Sequence, residues 1–373
     1  MLASFARYKR FRGHSRDVLK RASQPAVESL ESRVLLSVAY TATDLGSLGG
    51  SGTVPSAIND AGQVTGSSTS ANGDGHAFLW ADGTMRDLGA LPGGAASFGA
   101  AINSQGIVAG SSGAAADVYG FDHAFVTNGA TLTDLGTLPG YVASNAQGIN
   151  ASGQIVGLQQ DGSPGGSRAF LYTGGQMVDL SGLFAGSSAA YAINDVGEVA
   201  GSGVQTAGGQ PSAFIYSGGK VNFLGRLSGD TSTAYAINSR GDVAGSVFLP
   251  NIGETAAFLF VNAQTIYLSG PGLRATRASA INNSDVAVGD AELYDPTNAK
   301  SYQHAFVYQG SGATQDLNTL VSPQVGHTLI SATGVNSAGQ IIAISSDSHA
   351  FLLTPVPGGS ISGTIYKVLP AFA

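Results

Sequence analysis

Short apolar runs along the chain stop at asparagine and resume just after glycine, as in Ala57-Ile58-Asn59-Asp60-Ala61-Gly62-Gln63-Val64. Asparagine opens a turn by bonding nearby backbone, and a glycine three residues later takes a positive φ, so each such stretch predicts a tight hairpin. Six of seven copies keep that glycine; the sixth has Asp285, which predicts the weakest hairpin. The strand after the turn, Gln63 to Ser67, is expected to end in Gly and Ser, with a variable polar loop following. A third strand then reads His76-Ala77-Phe78-Leu79-Trp80, and its equivalents end in Tyr172, Tyr216, Phe260 and Tyr308. Alternation puts His, Phe and Trp on one face and Ala and Leu on the other. Neither face is polar, so both faces of the sheet are expected to be covered. A turn such as Asp82-Gly83 leads into a fourth strand, Asp87-Leu88-Gly89.

The whole pattern recurs. Its asparagine returns as Asn59, Asn103, Asn150, Asn194, Asn238, Asn282 and Asn336, at spacings of 44, 47, 44, 44, 44 and 54. Its phenylalanine returns as Phe78, Phe125, Phe170, Phe214, Phe258, Phe306 and Phe351, and the leucine of its last strand as Leu45, Leu88, Leu135, Leu180, Leu224, Leu268 and Leu317. Four short antiparallel strands in about 44 residues make one propeller blade. A β-solenoid is the runner-up, but its coils repeat every 20 to 30 residues or so and do not need two hairpins each. The ends decide between them. The first Asp-Leu-Gly strand, at Asp44, has no partner strands before it, and the last unit stops after Phe351-Leu352-Leu353 without a fourth strand. A ring joins these two remainders, so the expected fold is an all-β, seven-bladed β-propeller whose N-terminal strand closes the last blade, without exposed sheet edges.

Composition refines this picture. Glycine supplies 54 of 373 residues, about twice ordinary usage, as many tight turns require. There is no cysteine, which removes disulfides, thiolate metal sites and cysteine nucleophiles. The net charge of −7 is uneven: residues 1–37 hold eight Lys and Arg against three acids, leaving nine against 21 elsewhere, a balance of −12. An acidic body argues against a nucleic-acid partner. The expected organisation is a basic leader over 1–37, a propeller over 38–354 and a tail over 355–373. No apolar run reaches the 18 residues or so that span a bilayer, and a monomer is expected.

Repeated chemistry is read here mainly as scaffold. The histidines at 76, 123, 304 and 349 fall in blades that are contiguous in a closed ring, but equivalent third-strand positions lie very roughly 13 Å apart, too far to share one metal ion. Each is expected to bond locally at a strand start. The seven asparagines suit turn chemistry better than an axial ion site. The aspartates at 44, 87, 134, 179 and 316 occur one per blade, whereas a glycosidase pair must lie within about 10 Å and would break the repeat. There is no phosphate loop, zinc-protease motif or nucleophile elbow, and Asp290 to Asp295 is too sparse for a calcium loop. No catalytic residue, metal or cofactor is therefore expected. Candidate binding residues are sought where the repeats differ, in the loops between second and third strands. Tyr119, Phe121 and Asp122 in Gly113–Asp122, with Tyr294, Asp295 and Tyr302 in Ala291–Gln303, place aromatic rings beside carboxylates.

The His-Ala-Phe copies at 76, 123, 304 and 349, with the Ala-Ile-Asn and Asp-Leu-Gly elements, resemble the HAF-repeat family of bacterial extracellular repeat proteins. Arg168, Ser212 and Ala256 replace the histidine, and Phe223 and Tyr267 the aspartate. Leu30-Glu31-Ser32-Arg33-Val34-Leu35-Leu36-Ser37 resembles the LEPR-xLL segment of large repetitive bacterial proteins, departing at Ser32. Gly358 to Tyr366 resembles the opening strand of bacterial Ig-like surface repeats, so the tail is either a truncated start of such a repeat or unstructured. The resemblances imply an extracellular or cell-surface location and no established activity. The expected function is a non-catalytic binding or structural module recognising a protein or polysaccharide through variable loops on one propeller face. The alternative is a hydrolase or lyase acting on extracellular polysaccharide from an axial pocket.

Overall fold

In the computed structural model, which describes residues 39–113, 122–129, 131–163, 165–225, 231–270, 272–295, 300–322 and 326–356, all seven asparagine hairpins form as the sequence predicts. The Asn59 N–H donates to the Gln63 carbonyl and the Gly62 N–H returns to the Asn59 carbonyl, each at 3.0 Å. The Asn59 side-chain Oδ1 accepts from the N–H groups of Ala61 and Gln63. Asp285 takes the left-handed conformation at φ 59°, and its N–H···O bond to Asn282, 3.2 Å, is the longest of the seven equivalents. The Arg240 guanidinium of the preceding hairpin pairs with the Asp285 carboxylate.

The hairpins join 28 strands into seven four-stranded antiparallel sheets. Strand β1 (Tyr40–Asp44) stands first and alone. Blade 1 is β2 (Gly49–Ile58), β3 (Val64–Ser70), β4 (Gly75–Ala81) and β5 (Thr84–Gly89). Blade 2 is β6 (Ser97–Ile102), β7 (Val108–Gly113), β8 (Asp122–Asn128) and β9 (Thr131–Gly136), and blade 3 is β10 (Ala143–Ile149), β11 (Ile155–Gln160), β12 (Ser167–Thr173) and β13 (Gln176–Asp179). Blade 4 runs through β14 (Ser188–Ile193), β15 (Val199–Val204), β16 (Pro211–Ser217) and β17 (Lys220–Phe223), and blade 5 through β18 (Ser232–Ile237), β19 (Val243–Leu249), β20 (Glu254–Val261) and β21 (Gln264–Tyr267). Blade 6 is β22 (Leu273–Ile281), β23 (Val286–Asp295), β24 (Lys300–Gln309) and β25 (Gln315–Asp316). Blade 7 has β26 (Leu329–Val335), β27 (Ile341–Ser345) and β28 (Ala350–Pro355), and β1 completes it. The protein is a seven-bladed β-propeller. Helix among the described residues is limited to two three-residue 3-10 turns, Ser181–Leu183 and Leu317–Thr319. The expected leader and all but the first two residues of the expected tail lie outside the described residues.

The ring closes where the sequence predicts. Five residues of β1 pair in antiparallel register with β28, from Tyr40 opposite Pro355 to Asp44 opposite Phe351. Tyr40 also donates its N–H to Leu320 and accepts from Ser322, while the Leu45 N–H reaches the Ala350 carbonyl. The core lies between the blades. Ala109 and Ala124 of blade 2, for example, pack with Ala146, Ile149, Ile155 and Phe170 of blade 3. Both sheet faces are thus covered, and six of the repeat phenylalanines have no solvent exposure.

Two features were not expected. Each innermost strand carries a bulge three residues before its asparagine, so the register shifts between Pro55 and Ala57, Gly99 and Ala101, Ala146 and Gly148, and at the same place in the other blades. Moreover, Gly66, Gly110, Gly157, Gly201, Gly245 and Gly289 lie within the second strand, opposite the repeat phenylalanine, and do not end it. A Cβ there would sit about 2 Å from an inner-strand carbonyl oxygen, as at Gly157, where the Asn145 oxygen is 2.0 Å away. Blade 7 has Ala343 at this place, opposite Phe351.

The asparagines also link the blades to one another. Nδ2 of Asn59 donates to the backbone carbonyl of Asn103, Asn103 to Asn150, Asn150 to Asn194, Asn194 to Asn238, Asn238 to Asn282, Asn282 to Asn336 and Asn336 back to Asn59, at 2.9–3.2 Å. The closed ring of seven bonds predicts a stability effect. Asn194, buried, donates to Asn238 and to Glu198 Oε2 and accepts from the Glu198 N–H. Asn194→Ala is expected to cost about 1–3 kcal/mol in urea unfolding, while Asp195→Ala, one residue on, loses only an exposed bond from the Ala151 N–H and costs under about 1 kcal/mol. Equal effects at the two positions would mean that the buried ring bond is worth no more than an exposed contact between blades.

Candidate functional site

Strands alternate in direction, so turns between first and second and between third and fourth strands emerge on one face. The second-to-third loops and the connections between blades emerge on the other, here called the connection face. The asparagines ring the axis at the first face, beside a cavity of about 280 Å³. Asn59 uses both amide protons and both lone-pair positions of Oδ1 within the protein, leaving nothing to ligate an ion.

The repeat histidines bond locally, as expected, and their partners are the repeat aspartates. His76 Nδ1 lies 2.9 Å from Asp87 Oδ2, His123 3.0 Å from Asp134, His304 2.7 Å from Asp316 and His349 3.1 Å from Asp44. Each aspartate also accepts a backbone N–H two residues ahead, at Gly46, Gly89, Gly136, Ser181 and Asn318. The departures agree with this pairing: blades 4 and 5, which lack the aspartate, have Ser212 and Ala256 in place of histidine. In blade 3 the Arg168 guanidinium turns to the carbonyls of Gly165 and Ser167, and Asp179 accepts from the Tyr141 hydroxyl at 3.4 Å.

Of the residues sought for binding, Tyr119 and Phe121 lie outside the described residues. Asp122 opens β8, exposed. Tyr294, Asp295 and Tyr302 are not in a loop but in strands: β23 and β24 extend to ten residues each, pairing Leu293 with Tyr302 and Asp295 with Lys300. Alternating side chains on a continued ladder favour extension there. The Arg274 guanidinium stacks 4.6 Å over the Tyr294 ring, and Tyr302 is 43% exposed. These residues share the connection face, but they belong to blades 2 and 6, with blades 1 and 7 between them. The register therefore sets Tyr294 with Arg274 on one face of the blade 6 sheet and Asp295 with Tyr302 on the other, and Asp122 lies apart from both.

A second cluster, absent from the sequence reading, comes from the bulges. The bulged residues are Ser56, Ala100, Gln147, Tyr191, Tyr235, Ser279 and Thr333, one from each innermost strand. In blades 3 to 6, Gln147, Tyr191, Tyr235 and Ser279 join Arg277 around an axial cavity of about 250 Å³. The tyrosine rings lie 5.6 Å apart at 58°, and the Arg277 guanidinium is 5.8 Å from the Tyr235 ring. Burial, then the neighbouring Tyr235, pushes the Tyr191 phenol above its ordinary pKa, opposed by a hydrogen bond with Ser202. Burial pulls the Arg277 pKa down, but the charge and hydrogen bond of Asp290, 2.8 Å away, carry it above the ordinary value, so it stays charged. No carboxylate among the described residues lines this cavity. The signal in sequence was the residue three before each asparagine, aromatic only at Tyr191 and Tyr235; its meaning depended on the bulge.

No protein-family model matches the chain, nor does any curated protein. Solved structures do resemble it. YCF48 bound to D1 peptide shares 10% identity at a TM-score of 0.50, covering 87% of this chain and 98% of that one. The propeller domain of the Trilobed protease from Pyrococcus furiosus, described as having an open velcro topology, shares 11% identity at 0.47, over 72% and 84%. TolB from Acinetobacter baumannii shares 12% at 0.41, over 86% of this chain, which spans 63% of the length of TolB. At such identities the likeness shows the fold alone. No helix among the described residues is long and apolar enough to cross a membrane.

Proposed function

We propose that this propeller is a non-catalytic binding module of the bacterial cell surface or exterior, recognising a protein or polysaccharide. The observation that carries the reading is where the repeat breaks. Chemistry shared by the blades is consumed internally: asparagines by turns and ring, histidines by aspartates, aspartates by turn backbone. The side chains that depart from it are aromatic and cationic: Arg274 with Tyr294 on one face of the blade 6 ladder, Tyr302 on its other face, and Tyr191, Tyr235 and Arg277 at the axis. Aromatic rings and arginine are the side chains that anchor interfaces. The axial cavity beside Tyr191 and Tyr235 has no carboxylate in its described lining, and Asp60 and Asp195 at the asparagine-ring cavity accept N–H bonds from Ser337 and Ala151, which supports binding over glycoside hydrolysis. The resemblance to HAF-repeat proteins supports an exterior location, and YCF48, whose structure contains a D1 peptide, is an example of a propeller that binds peptide.

The test is a glycan array together with capture of envelope extracts on the full-length protein. The reading expects specific retention that falls at least tenfold in a Tyr294→Ala/Tyr302→Ala variant with unchanged circular dichroism. Retention that survives that variant but is lost in Tyr235→Ser moves recognition to the axis. Absence of retention from both sources overturns the binding role.

A further inference from the structure

In blades 1, 2 and 6 the repeat histidine pairs with its aspartate. Blade 7 adds two residues to this arrangement, both on the connection face. Asp347 comes from the loop between β27 and β28, two residues before His349, and His327 from the connection leading into β26. The imidazoles of His327 and His349 stack with centroids 4.8 Å apart and planes at 18°. Ser345 Oγ donates to Asp347 Oδ1 at 2.7 Å. The other carboxylate oxygen, Oδ2, lies 2.6 Å from His327 Nδ1 and 3.9 Å from His349 Nε2. Ligand atoms of all three residues fall within 4.8 Å of one another.

We propose that His327, Asp347 and His349 form a binding site for a divalent transition metal of the zinc class. Two imidazole nitrogens and one carboxylate oxygen are a donor set that zinc takes readily. Ligands about 2.0–2.2 Å from a tetrahedral ion lie roughly 3.3 Å from each other. The two gaps to Asp347 Oδ2, 2.6 and 3.9 Å, straddle that value, and seating the ion also requires the stacked imidazoles to turn so that their nitrogens converge. His349 already holds the tautomer for this. Its Nδ1 faces Asp44 Oδ2 at 3.1 Å, which holds the proton on Nδ1 and leaves the Nε2 lone pair toward Asp347. A carboxylate on the far nitrogen of a ligating histidine is the usual support for such a ligand, which makes Asp44 a positioning residue. Three protein ligands leave a fourth position to water or a bound group. The sequence expectation of no metal weighed the repeat histidines, the asparagines, the absent cysteines and zinc motif and the Asp290–Asp295 stretch, but not His327 or Asp347. His327 and Asp347 belong to no repeat position, and only the fold brings them together.

The experiment is calorimetric titration of the full-length, chelator-treated protein with Zn²⁺, and optical titration with Co²⁺, whose visible spectrum reports tetrahedral nitrogen and oxygen ligation. One equivalent is expected to bind. Affinity should fall at least tenfold in His327→Gln, in His349→Gln and in Asp347→Asn. Asp44→Asn should weaken binding about 10- to 100-fold and shift the Co²⁺ spectrum, while His76→Gln, which alters a pair without the added residues, leaves both unchanged. All are surface substitutions, and circular dichroism verifies the fold of each. Lack of a stoichiometric site, or binding that persists in His327→Gln and His349→Gln, overturns the proposal.

Discussion

Deletion of residues 38–48 is expected to lower thermal stability so far that the ring no longer unfolds as one cooperative unit. The deleted segment is β1 with its connection into blade 1, and its partners come from three blades. Tyr40, 1% exposed, packs with Leu317, Leu320 and Val321 from the end of blade 6 and with Leu353 of blade 7. Leu45, 4% exposed, packs with Val64 and Phe78 of blade 1 and with Ala350 and Leu352 of blade 7. Burying two such side chains contributes about 3–6 kcal/mol. The ladder to β28 and the bonds of Tyr40 and Leu45 to neighbouring backbone add roughly 1 kcal/mol each. Together these approach the whole stability of an ordinary domain, about 5–15 kcal/mol. The deletion also leaves β28 as an open sheet edge, which invites association. Calorimetry and size-exclusion chromatography should therefore show a lowered, broadened transition and aggregation, and a synthetic 38–48 peptide added in trans should restore part of the transition by strand addition. A deletion variant that melts like the intact protein would mean that the contacts between blades hold the ring shut without the seam.

Much of this architecture was legible because the repeat displays it seven times. The asparagine turn, the buried phenylalanine and the odd strand at each end were readable from spacing. The histidines were readable as locally bonded, but their aspartate partner was not read, although Ser212 with Phe223 and Ala256 with Tyr267 lose both residues together. What stayed hidden depends on distances the sequence does not encode locally. The bond from Asn59 to Asn103 spans 44 residues and differs in no visible way from an ordinary turn asparagine. Tyr191 and Tyr235 read as strand residues until a bulge turns them to the axis, and Tyr294 and Tyr302 read as loop because a polar stretch can continue a ladder when its partner strand does. His327 lacked any repeat context, so nothing in the sequence set it beside His349.

The second large effect lies in the pair Gly157 and Phe170. Phe170→Ala should cost about 3–5 kcal/mol, since the ring is wholly buried among blade 2 and blade 3 side chains and its removal leaves a cavity they cannot easily fill. Gly157→Ala should cost about 1–3 kcal/mol or somewhat more for a different reason. An added Cβ meets the Asn145 carbonyl oxygen at 2.0 Å and Phe170 Cε1 at 2.8 Å. The first contact is backbone, fixed beside the bulge of β10, and the second is a ring edge that can be removed. The double variant decides which one requires the glycine. If the bulged strand does, truncating Phe170 gives no relief, and the double variant is less stable than either single, with a coupling energy under about 1 kcal/mol in urea unfolding. If the ring does, Phe170→Ala makes room for the methyl group, and Gly157→Ala becomes nearly neutral or stabilising in that background. The first outcome is expected, because five other blades repeat the same sub-van-der-Waals approach to an inner-strand carbonyl, at 1.8–2.1 Å. On this argument the bulge comes first. It pushes a carbonyl over the second strand, the carbonyl restricts that position to glycine in blades 1 to 6, and the phenylalanine fills the space that the missing side chain leaves; blade 7, where a further register shift between Leu329 and Ser331 alters the inner strand, carries Ala343 instead.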